Sequence, residues 1–311
     1  MMVEKIMSKG YYWGYSTTLV ITHNGNRITL SEKNNVPINY DIPSDDGGSP
    51  ATCTVTLFNL SKTHLAKINQ NDHIIVYSGP TDLYGKLTEG TITQIAPETL
   101  SGMDKETQIT FEEGRDYSKD KRLYSNFNGS KLVTHTVKAS DGKSISYKKR
   151  KISKVNITFK KGTKASQIID RIKREAKIEI SAINLKKDYV FKKGYTLSAK
   201  PLAAIQAIVK DCGSTVYYRK GALCIDDGSK PNPYNEHLYL TMYHGLTQEP
   251  TYNSDDDGKP TWTLECFDDP RVCAGSAVYV KSTNLTGLQR VKSVDHTHDQ
   301  DSYKMEVVVY A

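Results

Sequence analysis

Short runs of alternating apolar and polar residues dominate both ends of this chain, and a period of two predicts strands. Cys53-Thr54-Val55-Thr56-Leu57 alternates in this way. So do Trp262 to Cys266 and Tyr303 to Tyr310, the latter with Tyr303, Met305, Val307 and Val309 on one face. Thr107, Ile109 and Phe111 share a face of another strand. Thr17 to Leu30 reads as a hairpin with Asn24-Gly25 at its tip, the pair that supplies two positive φ angles to a type I′ turn. Ser61 is placed to cap a short helix through His64, Leu65 and Ile68. Ile74 to Tyr77 and Thr91 to Thr93 add further strands. Five or more antiparallel strands in about 100 residues suffice for a small barrel or sandwich. Ala277 to Val280 and Gln289 to Val294 continue the β pattern near the C-terminus, with a turn at Thr286-Gly287.

The middle follows another rule. Val137 to Tyr147 reads as a hairpin around Asp141-Gly142. Thr163 opens a helix with Ala165, Ile168, Ile169, Ile172 and Ala176 on one stripe, the 3.6-residue period. A second helix starts near Pro201 and carries Leu202, Ile205, Ile208, Val209 and Cys212 on its stripe, with Gly213 as its stop. The strands Thr215 to Tyr218 and Leu223 to Ile225 flank Lys220-Gly221. The chain is thus mostly β with an α+β insertion. No repeat of solenoid type is present.

Charge sharpens the division. The 311 residues carry a net +7, but Arg115 to Lys200 holds 24 Lys and Arg against 7 Asp and Glu, so +17, and the rest carries −10. Such a middle segment suits nucleic acid, an anionic surface or an acidic neighbour, and equally a solvated lysine-rich face. Basic residues mix with aromatics at Arg115-Asp116-Tyr117 and at Lys121-Arg122-Leu123-Tyr124. The five cysteines, Cys53, Cys212, Cys224, Cys266 and Cys273, are odd in number and lack C-x-x-C spacing, which points to reduced thiols. No run is long enough to span a bilayer, and Met1 to Gly10 lacks the apolar core of a signal peptide.

Catalytic motifs are missing: no G-x-S-x-G, P-loop, G-x-G-x-x-G or H-E-x-x-H occurs. His296 and His298 have the spacing of two metal ligands on one strand, and are otherwise read as ordinary surface or turn histidines. Asn253 to Gly258 has acidic residues but not the first-position carboxylate or twelfth-position Glu of a calcium loop, so it reads as an acidic loop. No cofactor is expected.

Two stretches resemble the hub proteins of phage tails, the late control protein D family and related hubs. The first is "CTVTLFNLSKTHLAKI", then "NQNDHIIVYSGP", then "LYGKLTEGTITQI". The second is "GLTQEPTY" followed by "WTLECFDDPRVCAGSAVYVKSTNLTGLQRVKSVDHTHD", where Pro270, Gly275, Gly287, Val291, Val294 and His296 take the family's places. The helix, extended stretch, second helix and "YYRKGAL" hairpin of the middle also look like the family's insertion.

The resemblance implies two tube-like β domains flanking the mixed middle: 1–114, a connecting domain of 115–159 and 226–251, an insertion of 160–225, and 252–311. It implies a late protein of the virion tail, assembled in the host cytoplasm. As a homotrimer it would ring the baseplate or tail tip and join the sixfold tube to a threefold spike or fibre. Expected partners are itself, the tail tube or distal tail protein, a spike, fibre or cell-puncturing protein, and the tape measure protein, with passage of DNA through the ring. Gly25, Gly275 and Gly287 are expected at structural turns. The short N-terminal extension departs from the family. So does the lack of a C-terminal lysozyme, peptidase or spike domain, which argues against wall-degrading activity. A tail-associated peptidoglycan hydrolase and a nucleic-acid-binding protein using the basic middle are the rival expectations.

Overall fold

The computed structural model describes residues 12–123, 125–138, 144–232, 237–254 and 258–311. Contacts divide the chain into two compact units. Unit 1 comprises Met1–Asp116, Glu179–Lys187 and Gly213–Ala311; unit 2 comprises Tyr117–Ile178 and Asp188–Cys212.

Unit 1 begins with an N-terminal lobe. Its strands are β1 (Thr18–His23), β2 (Asn26–Ser31), β3 (Ile38–Asp45), β4 (Thr52–Phe58), β5 (His73–Ser78), β6 (Gly85–Ile95), β7 (Thr99–Ser101) and β8 (Asp104–Glu113), with the short helix α1 (Lys62–Leu65) after β4. The β1–β2 turn has Asn24 at φ 45° and Gly25 at φ 82°, the left-handed pair that the sequence implied. Ser61 caps α1, its Oγ accepting from the His64 N–H at 3.3 Å. The strands pair antiparallel in the order β3-β4-β8-β6-β5-β1-β2. Alternation turns Cys53, Val55 and Leu57 of β4 and Ile109 and Phe111 of β8 into one core with Leu19, Ile21, Ile74, Val76 and Ile92.

Unit 2 contains β9 (Ser125–Lys138) and β10 (Ser144–Val155), which pair antiparallel with each other. The Asp141-Gly142 tip lies outside the described residues. After them come β11 (Ile157–Phe159), β12 (Thr163–Lys164) and α2 (Ala165–Ala176). The chain next enters unit 1 for β13 (Ile180–Ile183), then returns for β14 (Val190–Phe191), β15 (Tyr195–Leu197) and α3 (Pro201–Asp211). The stripes of the two helices bury Ile168, Ile169, Ile172, Leu202, Ile205, Ile208 and Val209. Pro201 stands in the first turn of α3, and Gly213, at φ 67°, follows its end.

The remaining strands lie in unit 1: β16 (Thr215–Arg219), β17 (Ala222–Asp226), β18 (His237–Thr241), β19 (Thr251–Ser254), β20 (Pro260–Phe267), β21 (Ala277–Lys281), β22 (Thr286–His298) and β23 (Tyr303–Tyr310). Strands 215–226, grouped by sequence with the 160–225 insertion, pack in unit 1 instead. The reason is long-range hydrogen bonding. β17 takes β13 in parallel. The Gly221 N–H donates to Glu113 Oε1 at 2.9 Å, and the Tyr218 hydroxyl donates to the Arg115 carbonyl at 2.9 Å. The C-terminal lobe begins before residue 252, because Leu238, Leu240 and Leu246 join its core with Leu264, Val278, Val280, Val291, Val294, Val307 and Val309. Part of the acidic loop, 255–257, lies outside the described residues.

The C-terminal lobe repeats the strand order of the first. Its order β19-β20-β23-β22-β21-β18 matches β3-β4-β8-β6-β5-β1 strand for strand. One direction differs: β18 runs parallel to β21, whereas β1 is antiparallel to β5. The match reaches single residues. The Ile92 N–H donates to the Asp72 carbonyl and its carbonyl accepts from Asn71 N, at 2.9 and 2.8 Å. Val291 does the same with Ser276 and Gly275, at 2.9 and 2.9 Å. Asn71 and Gly275 both have positive φ, 71° and 77°. A one-residue register shift follows each, between Ile92 and Gln94 and between Val291 and Ser293.

Candidate functional site: the seam between the two β lobes

β22 belongs to both lobes. Its first half, Thr286–Arg290, pairs with β21. Its second half, Ser293–His298, pairs with Asp45 to Tyr40 of β3, so one sheet runs through both lobes.

Behind this pairing lies a buried polar network. Asp268 is fully buried at the end of β20. Its Oδ2 accepts from the Tyr40 hydroxyl at 2.6 Å, and its Oδ1 lies 2.5 Å from His296 Nδ1. His296 Nε2 lies 3.1 Å from the Val272 carbonyl. His298 places Nδ1 2.8 Å from the Ser302 carbonyl and Nε2 2.9 Å from Glu32 Oε1. The Tyr303 hydroxyl donates to Glu32 Oε2 at 2.6 Å. Thr17, Glu32, Tyr40 and Ser78 come from the first lobe; Asp268, His296, His298 and Tyr303 come from the second.

Electrostatics follow from the burial. Burial, then the Asp268 charge, pushes the Tyr40 hydroxyl well above its ordinary value, so it stays a donor. Burial also opposes the charge on Glu32, but hydrogen bonds from His298 and Tyr303 outweigh it and hold the carboxyl below its usual range. Each histidine ring has an oxygen against both of its nitrogens.

His296 and His298 are therefore not surface or turn residues. They are 2% and 5% exposed, and every ring nitrogen is engaged within the seam. Periodicity held a signal for this: both share the phase of the buried Val294. Tyr40 likewise sits in phase with Ile38 and Ile42. Asp268 and Glu32 left no local signal.

A second polar group ties three segments together. Arg290, nearly buried, pairs with Asp46 through Nη1, and its Nη2 lies 3.8 Å from Asp226 Oδ1. The Tyr310 hydroxyl donates to Asp46 at 2.9 Å, and Tyr217 donates to Asp226 at 2.6 Å. Gly275 lies against that tyrosine. Gly287, at φ 135°, lies within β22 itself; the turn spans Ser282 to Leu285, where the Ser282 N–H meets the Leu285 carbonyl at 3.0 Å.

Glu113 is a third buried group, 3% exposed, at the end of β8. Burial pushes its carboxyl up to about 7. A folded pKa above the unfolded one means stability present below about 4.3 and lost as pH rises through 7. Raising the pH from 5 to 8 is expected to cost the wild type about 2–3 kcal/mol more than it costs Glu113→Gln. Urea titrations at both pH values measure this; parallel behaviour of the two proteins would remove Glu113 as the cause.

Tyr117 is buried, and Tyr124 lies outside the described residues. Exposed lysines 160, 161, 192 and 193 sit on two facing F-K-K-G turns beside Tyr195 in unit 2. No group of three or more His, Cys, Asp or Glu suited to a metal occurs among the described residues. No helix there is long and apolar enough to cross a membrane.

No family model and no curated protein matches the sequence. Solved structures do match. The 43 kDa tail protein of prophage MuSo2 from Shewanella oneidensis superposes with a TM-score of 0.59 at 11% identity, over 95% of this chain and 98% of that one. The fold is that of phage tail proteins. A tail protein from Neisseria meningitidis MC58 gives a TM-score of 0.58 at 11% identity, over 96% and 97% of the two chains. The E. coli c3393 protein, a type VI secretion component with structural similarity to the T4 tail proteins gp27 and gp5, gives 0.57 at 10% identity, over 93% and 76%. The tail-protein fold thus spans both lobes and the middle of this chain.

Proposed function

We propose that this protein is the structural hub of a phage tail or tail-derived injection machine. Three copies form a ring at the baseplate or tail tip that joins a sixfold tube to a threefold spike or fibre. The observation that carries this reading is the repeated lobe. One chain supplies two β lobes of the same strand order, locked by β22–β3 pairing, so three chains offer six comparable lobes. That converts threefold chemistry into sixfold geometry. The tail-protein neighbours support it.

The buried seam supports a structural rather than a catalytic role for these carboxylates. Asp268 and Asp269 are fully buried and bonded to Tyr40, His296, Tyr12 and Arg271, out of a substrate's reach. Tube, distal tail, spike and tape measure proteins are the partners this role requires, with DNA or effector passing through the ring. The virion tail, assembled in the host cytoplasm, is where it would act.

The test is native mass with imaging of the purified chain. A particle of three times the 34.8 kDa chain mass with a threefold ring is expected. A monomer at tens of micromolar, in the presence of no partner, would overturn the reading.

A further inference from the structure

Resting on the hub reading, we infer that neighbouring copies join by pairing the tail of β6 with β19, a copy of the junction already present inside each chain. The internal junction joins the second half of β22 to β3, the C-terminal lobe to the N-terminal one. In the strand-order match, β22 corresponds to β6 and β3 corresponds to β19. Each lobe therefore owns both halves of one junction. Within a chain only one half of each lobe is used.

The unused halves are open. Among the described strands β19 is the outermost of its sheet path and pairs with β20 alone, with all four residues exposed and Tyr252 61% exposed. β6 pairs with β5 only through Thr91; Ile92 is held by Asn71 and Asp72, and the Thr93 carbonyl by the Gln70 side chain. From Gln94 onward β6 is paired on its β8 side alone among the described strands. An exposed strand edge is a standing template for another strand.

The register is determined too. Ile95 pairs with Ile109, Ile109 with Val55 and Val55 with Tyr40 in the first lobe. Val294, Val307 and Leu264 are the corresponding chain in the second, leading to the position before Thr251. The internal pairs Val294 with Ser44 and Asp295 with Pro43 then translate into Ile95 with Ser254 and Ala96 with Asn253 of the next copy. Pro97, lacking an N–H, limits the ladder to a short one. The contact is heterologous, head to tail, and repeats the internal junction's own geometry, so six junctions of one kind close the ring.

The experiment is disulfide trapping in the full chain. Directly opposed residues of antiparallel strands have Cα atoms about 4.5–5.5 Å apart, within disulfide reach. The five native cysteines are buried and do not compete. Ile95→Cys combined with Ser254→Cys should, on mild oxidation, give reducible covalent dimers and trimers, with the closed trimer dominant. Each single variant, and Ile95→Cys combined with Thr251→Cys, should give at least about tenfold less, because a register slip reverses faces. Native mass is read on the same samples. A trimer without trapping at Ile95 and Ser254 overturns this junction and leaves the hub. A monomer overturns the hub reading, and the junction with it. Equal trapping in the displaced pair also overturns the assigned register.

Discussion

Asp268→Ala is expected to destabilise the protein by about 3–5 kcal/mol. The carboxylate is fully buried and satisfies two buried donors from opposite lobes, Tyr40 at 2.6 Å and His296 at 2.5 Å. Alanine leaves His296 Nδ1 without an acceptor and the Tyr40 hydroxyl with Ser78 Oγ alone, at 2.9 Å, while the cost of burying both groups remains. Asp268→Asn should cost less, since its amide oxygen keeps one acceptor of the same shape. Asp299→Ala sets the scale at about 1 kcal/mol, because this exposed carboxylate accepts from Asp301 N, Ser302 N and Ser302 Oγ in the β22–β23 turn. Urea unfolding measures all three. The seam would lose its assigned role if Asp268→Ala matched Asp299→Ala. Loss of trimer in the Asn variant at normal monomer stability would show that the lobe angle, rather than folding alone, depends on this carboxylate.

Gly275→Val should be nearly as severe, at about 3 kcal/mol or more, from two separate costs. The backbone there has φ 77°, where a β-branched residue is strained by about 1–2 kcal/mol. An added Cβ would also stand 2.7 Å from the Tyr217 hydroxyl oxygen and 2.8 Å from its Cζ. That ring is fully buried and bonded to Asp226, so it cannot step aside. Gly287→Val carries the backbone cost alone, because its Cβ would meet only Gln289 Nε2 at 3.8 Å. Its expected loss is about 1–2 kcal/mol. Trimer yield and thermal midpoint rank the two variants. Normal yield and midpoint in Gly275→Val would contradict both the strain and the clash with Tyr217. Asn71 fills the equivalent place in the first lobe with φ 71°, which suggests why asparagine suffices there and glycine is required beside Tyr217.

Much of this architecture is local and therefore readable. Strand β4 follows from the alternation of Cys53, Val55 and Leu57. The first hairpin follows from Asn24-Gly25, and a second of the same kind follows from Lys220 and Gly221, at φ 50° and 87°. Helices α2 and α3 follow from stripes at the 3.6-residue period. The charge division also survives, because it is a property of composition. Unit 2 carries 22 Lys and Arg against 6 Asp and Glu, so +16, and unit 1 carries −9.

The seam could not be read this way. Tyr40 and Asp268 are 228 residues apart, and Glu32 and His298 are 266 apart. A histidine two residues from another looks like a metal pair or a turn until the opposite lobe supplies carboxylates. The same holds for strands 215–226, whose hairpin is local but whose address depends on Glu113 and Arg115.

Short-range spacing thus determined which residues form strands, turns and helices, since those depend on neighbours two to four positions away. Only the folded chain decided how the strands are ordered, that the order repeats, and which charges are buried together. Those choices depend on register between segments more than 200 residues apart, and no local periodicity encodes a register.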